Sequence, residues 1–102
     1  MSHIIVASFT PKPGRRDAMR AAFLAAVPKV HEEPGCELYS VQEDEQGFVF
    51  VERWADEQAM DGHAKGENLA TLMAAISEHL AQPLGVRVLS PLPAGDPDKG
   101  AV

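Results

Sequence analysis

The chain is short of several things at once. It holds one cysteine, one tryptophan and one tyrosine, and aromatic side chains make up only 6% of its 102 residues. A lone Cys36 cannot form an internal disulfide, so burial has to hold the core together, as suits a reducing compartment. No apolar run approaches the roughly 18 residues of a membrane span. The first residues also lack a basic stretch followed by an apolar one. The expected location is cytoplasmic, with no membrane partner. Cation is scarce too: 9 Lys and Arg face 15 Asp and Glu, for a net charge of −6. Nucleic-acid binders need Lys and Arg to displace counterions from phosphates, so none is expected as a partner. The small cluster Lys12, Arg15, Arg16 and Arg20 reads as a solvated face at a helix start.

Motifs are missing as well. There is no glycine-rich phosphate loop, no CxxC, no HExxH, no EF-hand loop and no Gly-x-Ser-x-Gly elbow. The histidines His3, His31, His63 and His79 are scattered. Neither a cofactor nor a metal is expected.

What is present is one domain's worth of alternating signals. The β-branched run Ile4 to Phe9 reads as a strand ended by Pro11 to Gly14, with the Ser8 hydroxyl either bonded within the sheet or lining a pocket. A helix starts near Arg15. Met19, Phe23, Ala26 or Val27, and Val30 make its apolar stripe. Pro28 predicts a kink or restart, since it lacks a donor and clashes one turn back. Pro34-Gly35 ends the helix near Glu33.

Cys36 to Gln42 alternates, with Tyr39 and Val41 on one face and Cys36, Leu38 and Ser40 on the other. Cys36 reads as a buried structural thiol. After a polar turn ending at Gly47, the strand Phe48 to Trp54 places Phe48, Phe50, Glu52 and Trp54 on one face and Val49, Val51 and Arg53 on the other. Both faces are mostly apolar, which calls for cover on both sides and suggests a dimer packed face to face. Asp56 caps a short helix carrying Ala59, Met60 and His63. A second helix spans about Glu67 to His79, with Leu69, Leu72, Met73, Ile76 and Leu80 as its stripe, and Leu84 to Leu89 is a last strand. The order β-α-β-β-α-β predicts an α+β, ferredoxin-like antiparallel sheet. The domain is expected to span residues 1–91, with 92–102 an extended or disordered tail.

The polar acts of chemistry concentrate between His31 and His63, which carries ten of the 15 acidic residues against one Arg. Most of these acids sit in turns and caps. Glu52 is different, because a carboxylate on an apolar strand face must be paired, hydrogen-bonded or raised in pKa. It is either a structural carboxylate or a working one. His63 is either a helix-end histidine or a pocket residue. Trp54 is a core anchor or a stacking surface. Tyr39 is core or pocket, and His31 is expected on the surface.

Val6-Ala7-Ser8-Phe9, Lys12-Pro13-Gly14, Glu33-Pro34-Gly35-Cys36-Glu37-Leu38-Tyr39, Phe50-Val51-Glu52-Arg53-Trp54-Ala55-Asp56, then Ala59 and His63, resemble the antibiotic biosynthesis monooxygenase domain family over about residues 3–90. The resemblance implies a dimeric α+β barrel: a homodimer with a pocket in each subunit between sheet and helices. It also implies small cofactor-independent oxygenases that bring a quinol or polyketide-like aromatic into direct reaction with O2. Carried over by position, His63 or Glu52 would accept the substrate's hydroxyl proton, while Trp54, Tyr39 and Phe50 would hold its ring. Haem-degrading relatives use an Asn on the first strand and a late His; this chain has Ala7 and Ser8, and Met73, so haem degradation is not expected. An isomerase of a small oxygenated metabolite and a non-catalytic dimeric binding module remain as alternatives. Inward Phe50, Trp54 and Tyr39 would favour an aromatic ligand, and an inward Arg87 an anionic one.

Overall fold

A computed structural model describes residues 2–102. Four strands, β1 (His3–Phe9), β2 (Cys36–Glu43), β3 (Phe48–Trp54) and β4 (Gly85–Leu89), form one antiparallel sheet in the order β2-β3-β1-β4. Helices α1 (Arg16–His31), α2 (Glu57–Ala64) and α3 (Glu67–Ile76) complete it, and a 3₁₀ turn follows at Ser77–His79. This is the expected ferredoxin-like α+β arrangement, with the second helical segment split in two. Among the described residues no helix is long and apolar enough to cross a membrane.

The period-2 alternation of the strands sets two faces. Ile5, Ala7 and Phe9 pair with Glu52, Phe50 and Phe48, and this inner face lies under the helices. Met19, Phe23 and Val30 of α1 are buried on it. Phe23 is the hub, with ring centroids 5.0 Å from Phe9, 5.2 Å from Phe48 and 4.9 Å from Phe50, all edge to face. That geometry suits the ring quadrupoles and adds about 0.5–1.5 kcal/mol per pair to the burial itself.

Four local expectations are corrected. α1 runs unbroken through Pro28, with no restart, because Pro28 lies on the exposed side where a missing donor is tolerated. A bulge between Cys36 and Leu38 changes the parity of β2. Cys36 therefore faces inward with Tyr39 and is only half-buried, rather than sharing a face with Leu38. Ser8 is exposed on the outer face, opposite Gly85, and lines no part of the helix side. Arg16 and Arg20 are more than a solvated face: Arg20 pairs with Glu43 at 2.9 Å, and Arg16 donates to the carbonyls of Asp44 and Glu45. They tie the β2–β3 turn to α1, and the Arg20 contact holds the Glu43 carboxyl below its ordinary range.

β4 lies at the sheet edge with Val86 and Val88 more than half exposed. Beyond it the chain carries no helix or strand. It turns at Asp96, whose carboxylate accepts from the N–H groups of Asp98 and Lys99, and returns until Arg53 Nη1 donates to the Val102 carbonyl.

One glycine fixes how the parts meet. Gly35 has φ +79°, and a Cβ there would lie 2.4 Å from Cβ of Ala59 on α2. The turn after α1 is thus pressed against α2, and Ala55 N–H donates to the Gly35 carbonyl at 2.9 Å. Gly14 has the same φ with no atom within 4 Å of the added Cβ. Gly14→Ala is expected to cost about 1–2 kcal/mol for the backbone alone. Gly35→Ala should cost more, about 3–4 kcal/mol, since backbone strain and overpacking combine. Urea unfolding of the two variants checks this, and equal losses would show that the Gly35 contact is slack.

Candidate active site

The alternation that buries Phe48, Phe50 and Trp54 also carries Glu52 inside, where it is 5% exposed. Its neighbour two residues on shares the face, and Trp54 Nε1–H donates to Glu52 Oε1 at 2.9 Å. His63 comes from the last turn of α2, which Asp56 starts by accepting the N–H of Ala59. The imidazole stacks on Trp54, with centroids 4.6 Å apart and an interplanar angle of 26°, and the Tyr39 ring meets it edge-on at 5.4 Å. Its Nδ1 lies 3.1 Å from Glu33 Oε1, and its Nε2 lies 4.0 Å from Glu52 Oε1. Asn68 Nδ2, from the first turn of α3, donates to Glu33 Oε2 at 2.9 Å. A polar series therefore runs Asn68, Glu33, His63, Glu52, Trp54, from the surface into the core.

The surface end opens into a groove of about 670 Å³ bounded by the α1–β2 turn, α2 and the start of α3. Glu33, His63 and Asn68 line it, together with Pro34 and Ala59 as apolar wall. The residues named from sequence thus divide. His63 is at the groove and Glu52 lies directly behind it. Trp54 and Phe50 are fully enclosed, at 0% and 1% exposure; Trp54 is the floor on which the imidazole rests, and Phe50 packs behind it against Tyr39. Tyr39 is buried beside them and also borders a separate cleft of about 580 Å³ between α1 and β2. His31 is exposed at the end of α1 and bonds the Tyr39 carbonyl at 2.9 Å.

Glu33 and Asn68 escaped the reading of the sequence. Glu33 stands in the turn motif before Gly35 and looks there like a helix-end acid. Its partner His63 is 30 residues away and Asn68 is 35 away. The fold brings them together, where the turn after α1 seats Gly35 on Ala59.

Burial pushes the Glu52 carboxyl above its ordinary range. The Trp54 N–H and His63 pull it back, and Glu33 pushes it further up. Burial likewise raises the Tyr39 phenol well above its usual range, so Tyr39 is not a base near neutrality. The Cys36 thiol is raised by burial and by the carboxylates of Glu33 and Glu52, the opposite of what a nucleophilic thiolate needs. Among the described residues no three His, Cys, Asp or Glu side chains are placed to hold a metal ion.

A raised Glu52 pKa has a measurable sign. Between the unfolded and folded values the folded chain holds more protons than the unfolded one, so this group's contribution to stability falls as pH rises through that window. Glu52→Gln removes the titration and keeps an oxygen for Trp54. Urea unfolding from about pH 4 to about pH 7 should show the difference between variant and wild type moving steadily in the variant's favour. A flat difference would mean that Glu52 is not held above its ordinary range.

Comparison with known proteins bears on what this arrangement is for. The sequence profile described as antibiotic biosynthesis monooxygenase matches residues 2–75. The Mycobacterium tuberculosis protein named "Putative monooxygenase Rv0793" is 33% identical over 90 residues, covering 86% of this chain and 89% of that protein. The solved structure of Rv0793 superimposes with a TM-score of 0.85 at 31% identity, covering 94% of this chain and all (100%) of that one. A crystal structure of an antibiotic biosynthesis monooxygenase gives a TM-score of 0.79 at 30% identity over 91% of this chain and 100% of that one. PA3566 from Pseudomonas aeruginosa shares the fold, with a TM-score of 0.80 at 24% identity over 89% of this chain and 94% of that one. A profile spanning β1 through α3, with a relative alike in sequence and in fold along nearly its whole length, places the chain in the antibiotic biosynthesis monooxygenase family.

Proposed function

We propose that the chain is a cofactor-independent monooxygenase, acting in the cytoplasm, that oxidises a quinol or polyketide-like aromatic with O2. The observation that carries this reading is the His63 imidazole held between two carboxylates at the wall of an open groove. Direct reaction with O2 needs an electron-rich anion. The protein's share is to bind a phenol, take its proton and keep water away. The proton comes to rest on the His63–Glu52 pair: Glu52 behind the ring stabilises the imidazolium that forms. For a substrate CH2 activated in this way, two C–H bonds give way to a C=O, with one atom of O2 in the product and the other leaving as water. Trp54, Tyr39 and Phe50 support the ring-holding end of the site. In this conformation Trp54 is the floor under His63, Tyr39 flanks the ring and Phe50 packs against Tyr39, and the substrate ring would rest on the groove's apolar wall.

Two features bear on the alternatives. Arg87 pairs with Val6 on the outer face and is exposed, so it brings no cation to the groove and lends nothing to an anionic metabolite. The enclosure of Trp54 and Phe50 favours, as a second reading, a binding module without turnover.

A homodimer packed sheet to sheet is part of the proposal. Its support is the outer face, where Val6, Leu38, Val49 and Val51 form an apolar, partly exposed surface.

Oxygen uptake with a panel of naphthoquinols and anthrones, with no metal or flavin added, tests the activity. Wild type should consume O2, and His63→Ala should lower turnover about 100-fold. Silence across the panel, in protein that still binds the aromatics, would favour the binding module. Sedimentation tests the assembly: wild type should run as a dimer and Val51→Glu as a monomer, and a monomeric wild type would remove the sheet-to-sheet packing.

A further inference from the structure

The imidazole reaches the groove, yet neither of its nitrogens is free to meet a ligand there. Nδ1 is taken by the Glu33 carboxylate, at 3.1 and 3.3 Å to its two oxygens. Nε2 points to Glu52 in the core. One ring face lies on Trp54. The acceptor that does stand open is Glu33, whose side chain is 17% exposed against 5% for His63. Asn68 holds Glu33 Oε2 from the far side at 2.9 Å and, at 3.3 Å, the Lys29 carbonyl, which fixes the carboxylate at the groove wall.

The charge around it is one-sided. Glu33, Asp56 and Glu67 line the groove, with no Lys or Arg among the lining residues. Asp56 is spent on capping α2. An anion entering here would meet uncompensated carboxylates, whereas an uncharged O–H donor would meet an acceptor.

We infer that Glu33 is the group that takes the ligand's proton from the groove, with His63 and Glu52 behind it as the acceptor reservoir, and that the ligand is an uncharged phenol or quinol. The inference rests on reading the groove as the site where a hydroxyl is ionised. The ligand O–H bond breaks, the proton joins the Glu33–His63–Glu52 unit, and the electron pair stays on the phenolate oxygen. Site and ligand together keep their charge, which is why a carboxylate-lined groove accepts the step. Glu33 is then a catalytic residue and Asn68 a positioning residue.

The probe is p-nitrophenol, whose phenolate absorbs at longer wavelength than the phenol, in buffer below its own pKa. Wild type should bind it and develop the phenolate band. Glu33→Gln, checked for folding by its melting curve, should show about tenfold less phenolate, one pKa unit of the bound phenol. Where that variant does not fold, Glu33→Asp is read instead, since it keeps the charge but draws the carboxylate back by one methylene. A reduced band supports the inference and an unchanged band overturns it. Asn68→Ala should shrink the band less than Glu33→Gln does. Tighter binding of p-nitrobenzoate than of p-nitrophenol, or no ionisation of the probe by wild type, would also overturn it. Oxygen uptake separates this from the oxygenase reading. Wild type that ionises the probe but consumes no O2 with quinols keeps Glu33 and loses the oxygenase. Equal O2 uptake by wild type and Glu33→Gln does the reverse.

Discussion

The structure turns on a carboxylate that the β3 alternation drives into an apolar core. An ionised Glu52 alone there would cost several kcal/mol, so it is tolerable only with partners. Trp54 supplies one from the same strand, two residues on. His63 supplies the other and has to be brought from a helix. Once the imidazole is beside Glu52, its far nitrogen needs a partner of its own, and the turn after α1 provides Glu33. Each polar group in the series thus demands the next, until Asn68 reaches the surface. Among the described residues no buried side-chain nitrogen or oxygen is left without a partner.

The rest of the domain can be understood as the frame for that series. The phenylalanine cluster around Phe23 fixes α1 on the sheet, and with it the position of the turn that carries Glu33. The Arg16 and Arg20 contacts hold the other end of α1 against the β2–β3 turn. α2 is only 8 residues long and has too few turns to be stable alone. Its capping by Asp56 and the stacking of His63 on Trp54 are what make it a fixed element. Stability and site are consequently not separable here: the groups that would handle a proton are the groups that dock the helix.

Much of this was legible in the sequence, and what was not has a physical reason. Period-2 and period-3.6 patterns place the strands and helices, and they single out Glu52 because a carboxylate between Phe50 and Trp54 violates its surroundings. The bulge at Cys36 could not be read, since adding a residue to one strand leaves composition and local pattern intact while it changes which side chains face inward. Continuity through Pro28 depended on which side of α1 met solvent. Glu33 carried no anomaly of its own: an acid before Pro34-Gly35 is what a helix end and turn commonly contain. Its meaning is set by a contact across thirty residues of chain, and spacing along the sequence is silent about that. The enclosure of Trp54 and Phe50 is likewise a property of the packed whole, not of the strand.

The meeting of Gly35 with Ala59 is the least polar contact near the groove, and it governs the most polar one. The separation of Glu33 from His63 is inherited from the distance between the turn and α2, which two of the smallest side chains set. Variation confined to carboxylates, imidazole and amide would leave this determinant untouched. A single methyl group at position 35, by contrast, would disturb the Glu33–His63 contact while every ionisable residue remained in place. In this chain the placing of the groove's polar groups is therefore bounded by two positions that carry no polar group at all.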